Sequence, residues 1–158
     1  MVTRDLISNL TFFKDFPQEV LEKIAANGME AELEQNEIVV QHHDEANWVL
    51  FLLSGTAQVY LNFPGQEPLF VGKISDPGSL IGWSAFRAPY RYTSTIRCEE
   101  PCRILKIPRN TFEEIQQEDL SLGFEILQRV AEVLALRLDQ TKELLIQTGP
   151  QGQVQTET

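Results

Sequence analysis

The chain changes its hydrophobic period twice. Apolar residues from Leu6 to Phe13 are spaced for a short helix, and Val20, Leu21 and Ile24 form the buried stripe of a second. Pro17 suits the start of that second helix, because the N–H it lacks would have no partner in a first turn. Asn27-Gly28 supplies the stop. After Gly28 the period falls to two. Glu30 to Leu33 alternates, Glu37 to Gln41 is a β-branched run, and Trp48 to Leu53 is a continuous apolar strand closed by Ser54-Gly55. Ala57 to Leu61 and Leu69 to Ile74 flank a turn-rich stretch and read as a hairpin. Tyr92 to Arg97 alternates again, as does Arg103 to Ile107 beyond the Glu99-Glu100-Pro101 corner. Roughly eight short strands between turns predict a mainly β fold with flanking helices, a double-stranded β-helix or jelly roll.

Helical periodicity returns at the carboxyl end. Asn110 and Glu113 have the spacing of a capping box, opening a short helix through Gln117. A long helix then runs from Asp119 to about Gln147, with Gly149-Pro150 as its stop. It carries two apolar stripes. Leu127, Ala131, Leu134, Leu138, Thr141 and Leu145 have coiled-coil spacing, while Ile126, Val130 and Val133 lie beside them and face the roll. Two apolar faces imply two partners, so a homodimer through this helix is expected; the alternative is one wide core-facing stripe in a monomer. The chain thus divides into N-terminal helices over 1–28, a β-roll over 29–108, C-terminal helices over 109–148 and a tail over 149–158 expected to be disordered.

At 158 residues the chain is the size of one domain, and 42% hydrophobic content suits a packed core. No apolar run reaches the length of a membrane span, and the first residues lack a secretory h-region, so the cytoplasm is the expected location. A net charge of −10 argues against a phosphate-backbone groove, hence no nucleic-acid partner, while leaving room for a local anion pocket. Cys98 and Cys102 without clustered histidines make neither a zinc site nor a disulfide framework, and read as small strand residues.

Candidate chemistry concentrates between Gly78 and Thr95, GSLIGWSAFRAPYRYTST. Gly82 interrupts an apolar strand just before Trp83-Ser84-Ala85-Phe86, a segment long enough for one helical turn. A glycine admits a ligand to the backbone, and the first N–H groups of such a turn are free donors. Ser84 adds a hydroxyl and Arg91 a fork of donors for phosphate or carboxylate. Tyr90, Tyr92, Thr93 and Ser94 place further hydroxyls nearby, of which strand alternation would turn only half inward. Trp83 either stacks on a planar ligand or plugs the pocket as core.

This order of elements resembles the cyclic nucleotide-binding domain family, which includes the catabolite activator protein and the regulatory subunits of protein kinase A. The likeness runs from Leu6 to about Gln147. WVLFLLSG, Trp48 to Gly55, is similar to the family's strand ending in a serine-glycine turn, and Gly78, Gly82, Ala85 and Thr95 match its phosphate-binding cassette in register. The resemblance implies a ligand-sensing module with a cyclic nucleotide as leading ligand. It also implies a backbone anion site at Gly82, Ser84 and Ala85, and polar contacts from the last helix, with Thr141 the first residue to test. Two positions depart from the cassette. Trp83 stands where the family has a glutamate for the ribose, and Tyr92 where it has the phosphate arginine, with Arg91 one residue early.

Enzymatic readings find little support. A metal-binding cupin needs separated histidines, but only His42 and His43 occur, adjacent in a polar loop. There is no G-x-S-x-G elbow and no P-loop. The expectation is therefore a stand-alone sensory module, not an enzyme and without a fixed cofactor. It would bind a small anionic ligand through Gly82, Trp83, Ser84, Ala85, Arg91, Tyr92, Thr93 and Ser94 and signal through its last helix. The alternative is a ligand-free roll for dimerisation or protein interaction, its pocket filled by Trp83 and Tyr92.

Overall fold

The computed structural model describes residues 1–148, so the expected stop at Gly149-Pro150 and the tail fall outside the described residues. Helix α1 (Arg4–Ser8), a 3-10 turn (Thr11–Phe13) and α2 (Gln18–Asn27) precede strands β1 (Met29–Leu33), β2 (Ile38–Val40), β3 (Trp48–Ser54), β4 (Ala57–Leu61), β5 (Leu69–Ile74) and β6 (Leu80–Ile81). A second 3-10 turn (Trp83–Phe86) leads to β7 (Thr95–Cys98), β8 (Cys102–Pro108), α3 (Arg109–Glu118) and α4 (Leu120–Thr148). The strands form two antiparallel four-stranded sheets, ordered β1-β8-β3-β6 and β2-β7-β4-β5. The jelly roll with flanking helices is the architecture the period changes predict.

Strand β3 explains why one segment reads as uniformly apolar. Val49, Leu50, Phe51 and Leu52 are all buried, so both faces of the strand are covered. Phe13, from the first 3-10 turn, lies 5.1 Å from Phe51 and 6.2 Å from Phe112 of α3, ring centre to ring centre. This aromatic cluster joins the terminal helices to the roll.

Three local expectations are corrected. The apolar run from Leu6 to Phe13 forms α1 and a separate 3-10 turn, not one helix. Asn110 does not cap α3: Pro108, with φ of −59°, passes the chain straight from β8 into the helix, and Glu113 pairs with Arg109 at 3.1 Å. The side-chain cap occurs one helix later, where Asp119 Oδ1 accepts from the Leu122 N–H at 3.0 Å. The alternating stretch from Tyr92 is strand only from Thr95 onward.

The two stripes of α4 separate as their spacing requires. Ile126 and Val130 are buried and Val133 is half-buried on the roll side. Leu127, Leu138 and Leu145 are exposed, and at roughly 100° per residue Leu120 and Phe124 fall beside them on one narrow outer arc. Leu134 and Thr141 depart from the outer stripe: Leu134 packs against the core, and Thr141 turns to a cavity described below.

Candidate ligand-binding site

Strand β6 ends at Ile81, and the chain turns sharply at Gly82, whose φ is +78°. A Cβ there would lie 3.0 Å from Leu50 Cδ1, 3.0 Å from Tyr92 Cε1 and 3.3 Å from the Trp48 carbonyl oxygen. Positive φ and close packing each call for glycine. The turn that follows is closed by the Ala85 N–H donating to the Gly82 carbonyl at 3.2 Å. Ala85 is buried and its N–H already engaged, so the backbone donors left at the start of the turn are those of Trp83 and Ser84.

A cavity of about 260 Å³ opens beside this turn. Its walls come from three places: the segment Gly82, Trp83, Ser84, Tyr92, Thr93 and Ser94; apolar residues of the second sheet, including Val40, Val59 and Ile96; and Arg137, Gln140, Thr141 and Leu144 of α4. Trp83 is half-buried on its edge, so Trp83 and Tyr92 do not fill the space. Six of the eight residues expected at a site are thus brought together, and Ala85 lies behind them in the core.

Arg91 is not brought to this cavity. Its guanidinium lies 3.7 Å from Glu45 and donates to the His43 carbonyl at 3.4 Å, on the outer side of the segment. The reason is the pairing of this segment with the loop before β3, where the His43 N–H donates to the Tyr92 carbonyl and the Tyr92 N–H to the Asp44 carbonyl. Tyr92 faces in, so its neighbour faces out. The Tyr92 hydroxyl donates to the Trp48 carbonyl at 2.8 Å, and burial pushes its phenol up to about 12. Alternation ends there, because 93 and 94 belong to a bend, and so Tyr92, Thr93 and Ser94 all reach the wall. Tyr90, at φ +58°, turns away and carries the Arg109 guanidinium 4.3 Å over its ring.

Arg137 joins the cavity wall although no sequence motif marks it. Its guanidinium donates to the Leu80 carbonyl, and desolvation pushes its pKa down to about 10. The signal was available: the roll-facing stripe Ile126, Val130, Val133 continues at the same spacing to Arg137, Thr141 and Leu144. Thr141 Oγ1 donates to the Arg137 carbonyl at 2.9 Å. Among the described residues two cations, Lys73 and Arg137, and no carboxylate line the cavity, in a chain with 23 acidic residues.

Elsewhere the titratable groups serve packing. His42 and His43 stack at 3.9 Å instead of facing apart, because His43 has φ of +77°, which breaks strand alternation. Burial first, and the neighbouring His43 second, hold His42 below the usual imidazole range. Among the described residues no three His, Cys, Asp or Glu side chains cluster to hold a metal ion. Cys98 and Cys102 are free and buried, and burial, with a hydrogen bond of its thiol to Cys102, pushes Cys98 up to about 12. Among the described residues no helix is long and apolar enough to cross a membrane.

Solved structures that resemble this chain share its architecture. A candidate cyclic nucleotide-binding protein from Geobacter metallireducens GS-15 superimposes with a TM-score of 0.77 at 24% identity, covering 87% of this chain and 99% of the other. The sensor domain of the transcriptional regulator DNR from Pseudomonas aeruginosa gives 0.71 at 16% identity over 86% of this chain and 91% of the other. A cAMP-binding acyltransferase from Mycobacterium smegmatis matches at 0.59 and 24% identity, over 70% of this chain but only 34% of its own. At these identities the likeness is one of fold. No curated protein matches the sequence significantly. The cyclic nucleotide-binding domain profile matches residues 30–119, more than half of the chain, which therefore belongs to the cyclic nucleotide-binding domain family.

Proposed function

We propose that this protein is a non-catalytic sensory module that binds a small anionic ligand in the cavity between the Gly82–Ser94 segment and α4. The observation that carries this reading is the cavity wall itself, where Arg137 stands without a carboxylate partner among the described residues, in a chain of net charge −10. Gly82, Trp83, Ser84, Tyr92, Thr93 and Ser94 supply the roll side. Ala85 supports the turn from behind, and Arg91 holds the outer loop through Glu45. The ligand touches both roll and helix, so its binding free energy depends on where α4 lies, which is the requirement for a signal. The cassette departs from the family's at Trp83 and Tyr92, and a cyclic nucleotide is the first ligand to test, not an assigned one.

A second copy of the chain is the partner this reading favours, seated on the outer arc of Leu127, Leu138 and Leu145. Free, buried cysteines suit the reducing cytoplasm.

The test is a thermal-shift screen with cyclic AMP, cyclic GMP, cyclic dinucleotides and small phosphorylated metabolites. A ligand that binds only the folded state raises the melting temperature by several degrees at roughly a hundredfold excess over its Kd. The shift is expected to survive Arg91→Ala. Silence toward every compound, with a cooperative melt, would favour the interaction module instead.

A further inference from the structure

Arg137 presents an electrostatic problem that its protein partners leave unsolved. Its guanidinium is partly buried in the middle of α4, on the stripe that faces the roll. Its one hydrogen-bond acceptor among the described residues is the neutral Leu80 carbonyl, and no carboxylate pairs with it there. Burying a cation against a neutral acceptor is costly, and the cost is recovered where an anion supplies the missing charge. Lys73, the other cation on the wall, differs: it is half-exposed and already bound to Glu99 at 2.6 Å.

The rest of the wall divides by side. Val40, Val59, Ile96 and Leu144, with the Trp83 indole at the edge, form an apolar part, while Ser84, Thr93, Ser94, Gln140 and Thr141 supply neutral polar groups. The apolar part suits a flat apolar body, and among the described residues no carboxylate lines the cavity to accept from the hydroxyls of a sugar.

Resting on the proposal that this cavity is a ligand site, we propose that Arg137 of α4 is its anion anchor, and that the ligand class is a small molecule with one anionic group on an apolar, planar body. The counter-charge then comes from the helix and not from the segment after Gly82. A guanidinium already holding Leu80 keeps further N–H groups to grip a phosphate or carboxylate in a fork. The anion thereby ties the middle of α4 to the start of β6.

The experiment titrates the full chain with phenyl phosphate, benzoate, neutral benzamide and cyclic AMP, following tryptophan fluorescence and melting temperature. Phenyl phosphate or benzoate is expected to bind at least 10-fold more tightly than benzamide, and the stronger of the two identifies the anion. Arg137→Gln should weaken that ligand by about 10- to 100-fold, the range expected for a charge-assisted hydrogen bond, and leave benzamide unchanged. Arg137→Lys should recover part of the loss, and far-UV circular dichroism should show both variants folded. Equal binding of the anions and benzamide to the unaltered chain, which needs no variant, would overturn the anchor. So would undiminished anion binding by Arg137→Gln, and either result leaves the cavity standing as a ligand site. Cyclic AMP binding 10-fold more tightly than either aryl anion would overturn the apolar-body class while upholding the sensor. No binding by any probe would overturn both.

Discussion

Replacing Gly82 by alanine tests whether the turn at the cavity is fixed by close packing or only by backbone conformation. Gly65 is the internal control. The two glycines have nearly the same φ, +78° and +72°, so alanine meets the same backbone penalty at each, about 1–2 kcal/mol. Their surroundings differ. An added Cβ meets nothing within 4 Å at Gly65, but at Gly82 it lies 3.0 Å from both Leu50 Cδ1 and Tyr92 Cε1. Overpacking of this kind costs about 1–3 kcal/mol, because Leu50 and Tyr92 are themselves buried and have little room to give. Gly65→Ala should therefore lose about 1–2 kcal/mol, and Gly82→Ala about 2–5. Urea unfolding followed by tryptophan fluorescence measures both, with equal m-values confirming that only stability has changed. At roughly 2–4 °C per kcal/mol for a chain of this size, the difference also registers in the melting temperature. A Gly82→Ala loss within about 0.5 kcal/mol of the Gly65→Ala loss would refute the contact argument.

Three further outcomes follow from the same structure. Phe13→Ala removes a ring only 1% exposed that touches Phe51 and Phe112, and should cost about 3–5 kcal/mol in urea unfolding. Stability should fall in alkali, because the fold raises the pKa of Cys98 from 9.0 and of Tyr92 from 10.0 to about 12. The unfolded chain releases those protons first, so stability is full below about pH 8 and is lost as pH climbs toward 12. Cys98→Ala should flatten the earlier part of that decline and Tyr92→Phe the later part, in melts recorded across the range. Leu138→Glu, on the outer arc of α4, should abolish a dimer in sedimentation velocity while leaving the unfolding free energy of the monomer within about 0.5 kcal/mol; a dimer that persists would remove that face from consideration.

How much of this was legible beforehand depends on the range of the forces involved. Local pattern sets local geometry: the period-two segments became strands, the 3.6-residue periodicity became α4, and Ile126 and Val130 took the inner face because their spacing leaves them there. The glycine at position 82 and the turn after it were readable for the same reason, since a glycine inside an apolar strand marks a bend whatever surrounds it. Membership of a β-roll family was therefore within reach of the sequence alone. The cavity's charge was not. Arg91 lies in the right segment but faces outward, because the pairing of His43 and Asp44 with Tyr92, contacts nearly fifty residues apart, decides which neighbour points in. Arg137 lies far along the chain from the glycine turn, yet its guanidinium ends at the Leu80 carbonyl, because α4 packs back across the roll. Which side chains share a cavity, and which cation is left without a counter-ion, are properties of surfaces brought together from distant segments, and only tertiary packing fixes them.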